Sequence, residues 1–224
     1  MLDFMNGKPK KSERARDRPR RLPACDESTA GTEEHLLAGK PLEDRCFKDL
    51  DLSERNLPAI RGGNLVFDHV SFAGSKLAGI HLFDTRFVGC DLSNTMIRVC
   101  EGTRIEFIDC KLTGLNSYGC RFDDVLLERC DASFSHLSEA RLHRCEIVAS
   151  HFHEAVLNRT SFEGTRLREV EFCRADLAET NLAGLDLTAC DISEISLRVT
   201  DLRGAIVSPA QAMDLARFLE VVIR

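Results

Sequence analysis

The residues best equipped for chemistry in this 224-residue chain sit near its middle. Asp131, His151 and Glu171 recur at intervals of twenty, and Ser133, His153 and Cys173 repeat that interval two positions on. Two imidazoles, a thiol and carboxylates could ligate zinc. Ten cysteines could also form a disulfide framework if the chain were secreted. The basic residues near its start are followed by no apolar segment of the signal-peptide kind. The expectation is therefore reduced thiols acting as small apolar side chains in a cytoplasmic setting. No glycine-rich phosphate loop or nucleophile elbow occurs, so no catalytic residue is expected and the chain does not read as an enzyme. With no apolar stretch of membrane-spanning length, no membrane span is expected.

Whether the His and Cys residues can act together depends on the element that carries them. Of the 32 positions taken every fifth residue from Phe47 to Leu202, 28 are Leu, Phe or Ile. Random placement would put about seven there. Two residues earlier runs a second phase of small or apolar residues, uncharged from Ile60 to Ala205, which holds Cys90, Cys100, Cys110, Cys120, Cys130, Cys145 and Cys190. Polar and charged residues fill most of the other three phases. A period of five fits neither an α-helix nor an alternating strand. It fits a short extended piece and a corner, repeated, with one large and one small side chain pointing inward.

The pattern is legible in Ala175-Asp176-Leu177-Ala178-Glu179, Thr180-Asn181-Leu182-Ala183-Gly184 and Thr200-Asp201-Leu202-Arg203-Gly204. It resembles the A(D/N)Lxx motif of the pentapeptide-repeat family over about 70% of the chain. The resemblance implies an all-β solenoid, a right-handed quadrilateral β-helix with four pentapeptides per coil. Phe47, Phe67, Phe87 and Phe107, twenty apart, would stack inside it. Thirty-two pentapeptides give about eight coils. On such a coil the His and Cys residues form a flat wall without the enclosing groups of a metal site. A solvated face is the expectation, with no metal and no other cofactor. Breaks at Gly62-Gly63, Gly102 and Asn116-Ser117-Tyr118-Gly119 read as bulges or binding loops, bulges being favoured.

Three regions follow. Residues 1–40 are polar, with basic clusters at Lys8–Lys11 and Arg18–Arg21, and read as a disordered, solvated tail. Residues 41–207 form the β-helix. Residues 208–224 read as a C-terminal α-helix, with Ser208 as N-cap, Pro209 first and Gln211 completing a capping box. Its apolar residues Leu215, Phe218, Leu219 and Val222 would either cover the last coil or form a homodimer. In the gyrase-protecting members of the family a helix of this type makes the twofold dimer, so the resemblance favours the latter.

The net charge of −6 is unevenly spread, with +5 in residues 1–25 and −8 in residues 41–207. Sorted onto four walls, the carboxylates concentrate on the one centred on Leu52 and its equivalents. There Asp51, Glu54, Asp91, Asp131, Glu154, Glu171, Asp191 and Glu194 face only Lys111 and Arg174. An acidic rod can present charge to a basic groove as a phosphate backbone does. The resemblance to gyrase-protecting members implies a DNA mimic that binds DNA gyrase or topoisomerase IV, with no direct nucleic-acid binding by the β-helix. The alternative is a structural scaffold for another protein partner.

Overall fold

The computed structural model describes residues 16–20 and 22–219. Its strands are β1 (Leu42–Lys48), β2 (Asn56–Leu57), β3 (Ile60–Asp68), β4 (Lys76–Leu77), β5 (Ile80–Val88) and β6 (Met96–Ile97). They continue as β7 (Cys100–Ile108), β8 (Arg121–Asp123), β9 (Leu126–Glu128), β10 (Arg141–His143), β11 (Glu146–Val148) and β12 (Arg166–Arg168). All described strand pairings are parallel and advance by twenty residues, as in Phe47↔Phe67↔Phe87↔Phe107↔Leu127. The main ladder runs β1-β3-β5-β7-β9-β11-β12, and β2-β4-β6 form a second sheet. Isolated bridges at the same interval link other walls, including Asp51↔Ser71↔Asp91 and Asp176↔Ser196. The result is a parallel β-solenoid. Seven ladder strands make six turns, fewer than the eight coils expected. Beyond β12 the layers persist only as isolated bridges such as Glu171↔Asp191 and Asp186↔Ile206.

The corners explain the period of five. Twenty-one non-glycine residues have positive φ, and every one has a number ending in 4 or 9, two residues past an inward position of the Leu/Phe/Ile phase. Behind many of them a four-residue turn closes, as in Ala155 N–H to Phe152 C=O at 3.2 Å and Ala175 N–H to Phe172 C=O at 2.8 Å. A left-handed third residue makes these type II turns. An L-residue in that conformation costs about 1–2 kcal/mol. Ladder bonds help to offset it: the corner amides of Glu54 and Asn94 donate to Ala73 and Thr113 of the next coil, both at 2.8 Å.

Inside, like stacks on like. The rings of Phe47, Phe67, Phe87 and Phe107 are stacked with centroids 5.1, 4.6 and 4.8 Å apart. The small inward phase has its own chemistry. The hydroxyls of Thr95, Thr165 and Thr180 donate to the carbonyls of Phe72, Leu142 and Leu157 at 2.8–2.9 Å, each 23 residues back. The thiols of Cys90, Cys110 and Cys130 make the same bond at 3.4–3.6 Å. Small donors suit this phase because each adds a weak bond between coils without needing volume. The glycine breaks are not bulges. Gly62 and Gly102 keep the twenty-residue register within β3 and β7, as members of the inward-facing large phase. A Cβ on Gly62 would lie 1.9 Å from the Leu42 carbonyl oxygen, and one on Gly102 2.5 Å from Ile105 Cδ1. Ser117 is likewise buried in register, its hydroxyl unpartnered.

Both ends are covered. At the start, Ala30 bridges Cys46, Gly31 N–H donates to the Cys46 carbonyl at 2.6 Å, and helix α1 (Glu33–Leu37) buries Leu36. Residues 16–20 and 22–40 are therefore not the solvated tail expected; residues 1–15 lie outside the described residues. Cys25 and Cys46 form a disulfide, so the expectation of reduced thiols fails for this pair. Neither belongs to the inward small phase from Ile60 onward, whose cysteines are all free and buried. At the far end, α2 (Pro209–Leu215) has the expected capping box, with Ser208 N–H donating to Gln211 Oε1 at 2.8 Å. Gln211 Nε2 also donates to the carbonyls of Leu187 and Cys190, both at 2.8 Å. Leu215 is buried and Phe218 half-buried against the last coil. These two act in the chain's own lid, so Leu215 is not free to form the dimer interface expected of it. The Leu219 side chain and Val222 lie outside the described residues.

The stack makes a sharp distinction between neighbouring phenylalanines. Phe87→Ala should cost about 3–5 kcal/mol, measured by urea unfolding. Phe83→Ala, at a position 41% exposed, should stay within about 0.5 kcal/mol.

Candidate partner-binding surface

The wall centred on Leu52 is built by one bridge column. Asp51, Ser71, Asp91, Lys111, Asp131, His151, Glu171 and Asp191 succeed one another coil by coil through parallel bridges. The inward residues Leu52, Phe72, Leu92, Leu112, Ala132, Phe152, Phe172 and Ile192 are all buried and fix the orientation of their neighbours. Glu54, Glu154 and Glu194 flank the column as left-handed corner residues. The eight expected carboxylates therefore share one wall. Asp51, Glu54, Glu154, Asp191 and Glu194 are exposed, whereas Asp91, Asp131 and Glu171 are half-buried.

A second role for the aspartates was missed from sequence. Asp51, Asp91, Asp131 and Asp191 each accept the amide of the residue two ahead, Ser53, Ser93, Ser133 and Ser193, at 2.8–3.0 Å. The same bond recurs at Asp176, Asn181 and Asp186. It is the local turn that Asp and Asn side chains make, and the A(D/N)Lxx spelling was its signal. Part of the wall's acidity thus serves the corners. Hydrogen bonds from the Ser53 hydroxyl and amide hold Asp51 below the ordinary carboxylate range. At Asp131, burial pushes upward but is outweighed by the hydroxyl and amide of Ser133 and the hydroxyl of Thr113.

What separates this wall from the rest is the shortage of cations. Elsewhere arginine and carboxylate alternate at the twenty-residue interval. Arg104 meets Asp84 at 2.6 Å, Arg129 meets Asp109 at 2.6 Å, Arg86 meets Glu106 at 2.7 Å, and Arg159 spans Glu179 and Glu139 at 3.0 and 3.4 Å. On the acidic wall Arg174 reaches Glu154 at 3.1 Å and Lys111 stands 3.9 Å from Asp91. Among the described residues, Asp51, Glu54, Asp131, Asp191 and Glu194 form no direct ion pair with lysine or arginine, although the more distant Arg55 charge helps to lower Asp51.

A family model described as "Pentapeptide repeat region" matches residues 100–182. The chain carries a pentapeptide-repeat region. No curated protein matches the sequence. Among solved structures, it is similar to HetL, a pentapeptide repeat protein involved in heterocyst differentiation regulation from the cyanobacterium Nostoc sp. Identity is 15%, over 75% of this chain and 86% of that one, with a TM-score of 0.39. It is similar also to QnrB1, a plasmid-mediated fluoroquinolone resistance protein, at 16% identity over 79% of this chain and 100% of the other, with a TM-score of 0.37.

In the pentapeptide-repeat coil the histidines come together without forming a metal centre. His153 Nε2 lies 2.7 Å from Glu171 Oε2, and His151 Nε2 3.6 Å from Glu171 Oε1. No group of three or more His, Cys, Asp or Glu is placed to hold a metal ion among the described residues. Three of the interior thiols are poor nucleophiles as well as buried ones. Burial pushes Cys100 and Cys145 up to about 12 and Cys190 to about 11, leaving little thiolate at neutral pH.

The carboxylate shifts have a consequence for stability. At Asp84, burial is outweighed only by the Arg104 bond, the Arg20 amide and the arginine charges together; at Asp124, by the Arg144 bond, the Asp17 amide and nearby positive charge together; and Asp109 is held down by Arg129. All three, with Asp131, lie below the ordinary carboxylate range when folded. The unfolded chain therefore takes up more protons as pH falls. Their contribution is complete above the ordinary range, about pH 4, and disappears as pH drops through the folded values. The urea midpoint should stay level from pH 7 to about 5 with respect to these groups and then fall. Asp131→Asn, which keeps the turn acceptor, should make that fall shallower.

Proposed function

We propose that this is a non-enzymatic interaction protein whose acidic wall occupies a cationic, DNA-binding groove of a partner, DNA gyrase or topoisomerase IV, and protects that enzyme from inhibitors. The observation that carries this reading is the column from Asp51 to Asp191, whose carboxylates largely lack arginine partners while many of those on other walls are paired. Eight carboxylates against Lys111 and Arg174 give a net −6. Seven steps of about 4.8 Å make the column about 34 Å long. That is roughly one net charge per 6 Å, compared with one per 1.7 Å for duplex DNA. A mimic this dilute should bind with a shallower salt dependence than duplex of the same length.

The particular enzyme comes from the family resemblance. A scaffold for another protein is the competing reading, since carboxylates also serve the corner turns and solubility. A homodimer through α2 would have to use exposed residues such as Met213, because Leu215 is spent on the last coil. A cytoplasmic setting belongs to the topoisomerase reading. The Cys25–Cys46 bridge is the feature that a reducing compartment would open.

Gyrase supercoiling assays with and without a quinolone provide the test. The wild-type protein should protect the enzyme, less so as salt rises. Asp91→Lys, Asp131→Lys and Glu171→Lys together should remove the effect while circular dichroism shows the coil intact. Unchanged protection by the triple variant would sink the acidic-wall reading; no effect by the wild type, together with recovery of a different stable partner, would favour the scaffold.

A further inference from the structure

Away from the acidic wall, one corner of the coil carries carboxylates that water does not reach. Asp84, Glu106 and Asp124 are 5%, 4% and 2% exposed, although Asp44, two coils earlier in the column of Asp84 and Asp124, is exposed. Residues 16–20 cover them. Asp17 N–H donates to Asp124 Oδ1 at 3.1 Å and Arg20 N–H to Asp84 Oδ1 at 2.9 Å. The Arg16 guanidinium reaches Glu106 Oε1 at 3.1 Å and Glu146 Oε2 at 3.5 Å. The Arg16 side chain is only 6% exposed, and its Nη1 has no hydrogen-bond partner.

The spacing shows how the corner reads its occupant. Asp84 and Asp124 are two coils apart, about 9.6 Å at the strand–strand distance. Three residues of extended chain, the step from Asp17 to Arg20, span about 10 Å. The segment thus lies fully extended along the rod axis, and each donated amide meets the carboxylate of every second coil. Recognition uses backbone amides at i and i+3 and one arginine, so it suits any extended segment with an arginine at the right place. The occupant is also dispensable to the coil. Asp84 keeps its Arg104 partner at 2.6 Å, Asp124 keeps Arg144, and Glu106 keeps Arg86 at 2.7 Å. Removing residues 16–20 strands none of these charges.

We propose that the corner formed by Asp84, Glu106, Asp124 and Glu146 is a binding site for an extended, arginine-bearing polypeptide segment, occupied at rest by the chain's own residues 16–20. A segment of another polypeptide binds by displacing them. The Cys25–Cys46 bond and the pairing of Thr29 and Gly31 with Cys46 hold the displaced arm close. It therefore remains a competitor at high effective concentration. The site is independent of the topoisomerase reading, which concerns a different wall.

Fluorescence anisotropy with a labelled peptide of the sequence of residues 14–24 tests this on the full chain. The wild type should bind it weakly, because its own arm competes. Arg16→Glu should open the corner and bind at least about tenfold more tightly. Adding Glu106→Gln and Glu146→Gln to that variant should return binding to the wild-type level or below. Equal affinity of wild type and Arg16→Glu, or binding indifferent to Glu106 and Glu146, overturns the proposal. Amide hydrogen exchange in the wild type gives an answer even if a variant fails to fold. Asp17 and Arg20 should exchange more slowly than Arg18, and equal rates at all three would rule the seated arm out.

Discussion

The structure depends on in-register parallel stacking at a twenty-residue step. One coil of twenty residues has an interior barely wide enough for the side chains it points inward, and no second layer of its own to bury them. Each ring of the Phe47–Phe107 ladder is covered only because another lies about 5 Å above or below it. The backbone ladder enforces this. A corner amide that reaches the carbonyl one coil on leaves no freedom to slip by a residue, because slippage by one would turn every leucine outward. Gly62 and Gly102 show how strict the register is: where a side chain cannot fit, the side chain is dropped and the step of twenty is kept.

The same register governs charge. A residue's closest lateral neighbours are those twenty before and twenty after it, so a column of identical charges repels itself at about 5 Å. Three walls answer with alternation, as in Asp84–Arg104 and Asp124–Arg144 along one corner. The Leu52 wall inserts Ser71, Lys111 and His151 between its carboxylates instead. This spaces all of the column's acids except Glu171 and Asp191 without cancelling most of them. Half-burial and Asx turns already commit Asp91 and Asp131 to the corners, so their presence alone is weak evidence for a partner. The lack of matching arginines is stronger, since nothing in the corner chemistry excludes them from this wall and the other walls have them.

Legibility in the sequence followed periodicity and locality. The phenylalanine ladder could be read because it repeats, and the Ser208–Gln211 capping box because it is four consecutive residues. The left-handed corners were hidden. Glycine or asparagine would have marked them, but Glu54, Arg104, Arg129 and Phe134 take that conformation too; the ladder tolerates a strain that composition does not advertise. The shortened strand ladder was hidden as well, since Leu177, Leu182 and Leu187 continue the pattern where strands have given way to isolated bridges. Of the candidate site, the membership of the wall was legible, and the Asx turns that account for part of its acidity were written in the motif but not recognised.

The arm was beyond reach for a different reason. Its contacts join residues 64, 90 and 107 apart, and one side of each contact belongs to no repeat. Charge alone separated a basic tail from an acidic body, and said nothing of whether or where the two meet. What fixes the place is that Asp84 and Asp124 are separated by a distance an extended chain covers in three residues. Any solenoid with this step offers such a ruler along its corners. It becomes a specific site only where carboxylates stand two coils apart and something basic and extended can lie across them. On this chain the Asp84–Asp124 corner meets both conditions within one molecule, whereas the described contacts of the arm leave the Asp51–Asp191 column to whatever comes from outside.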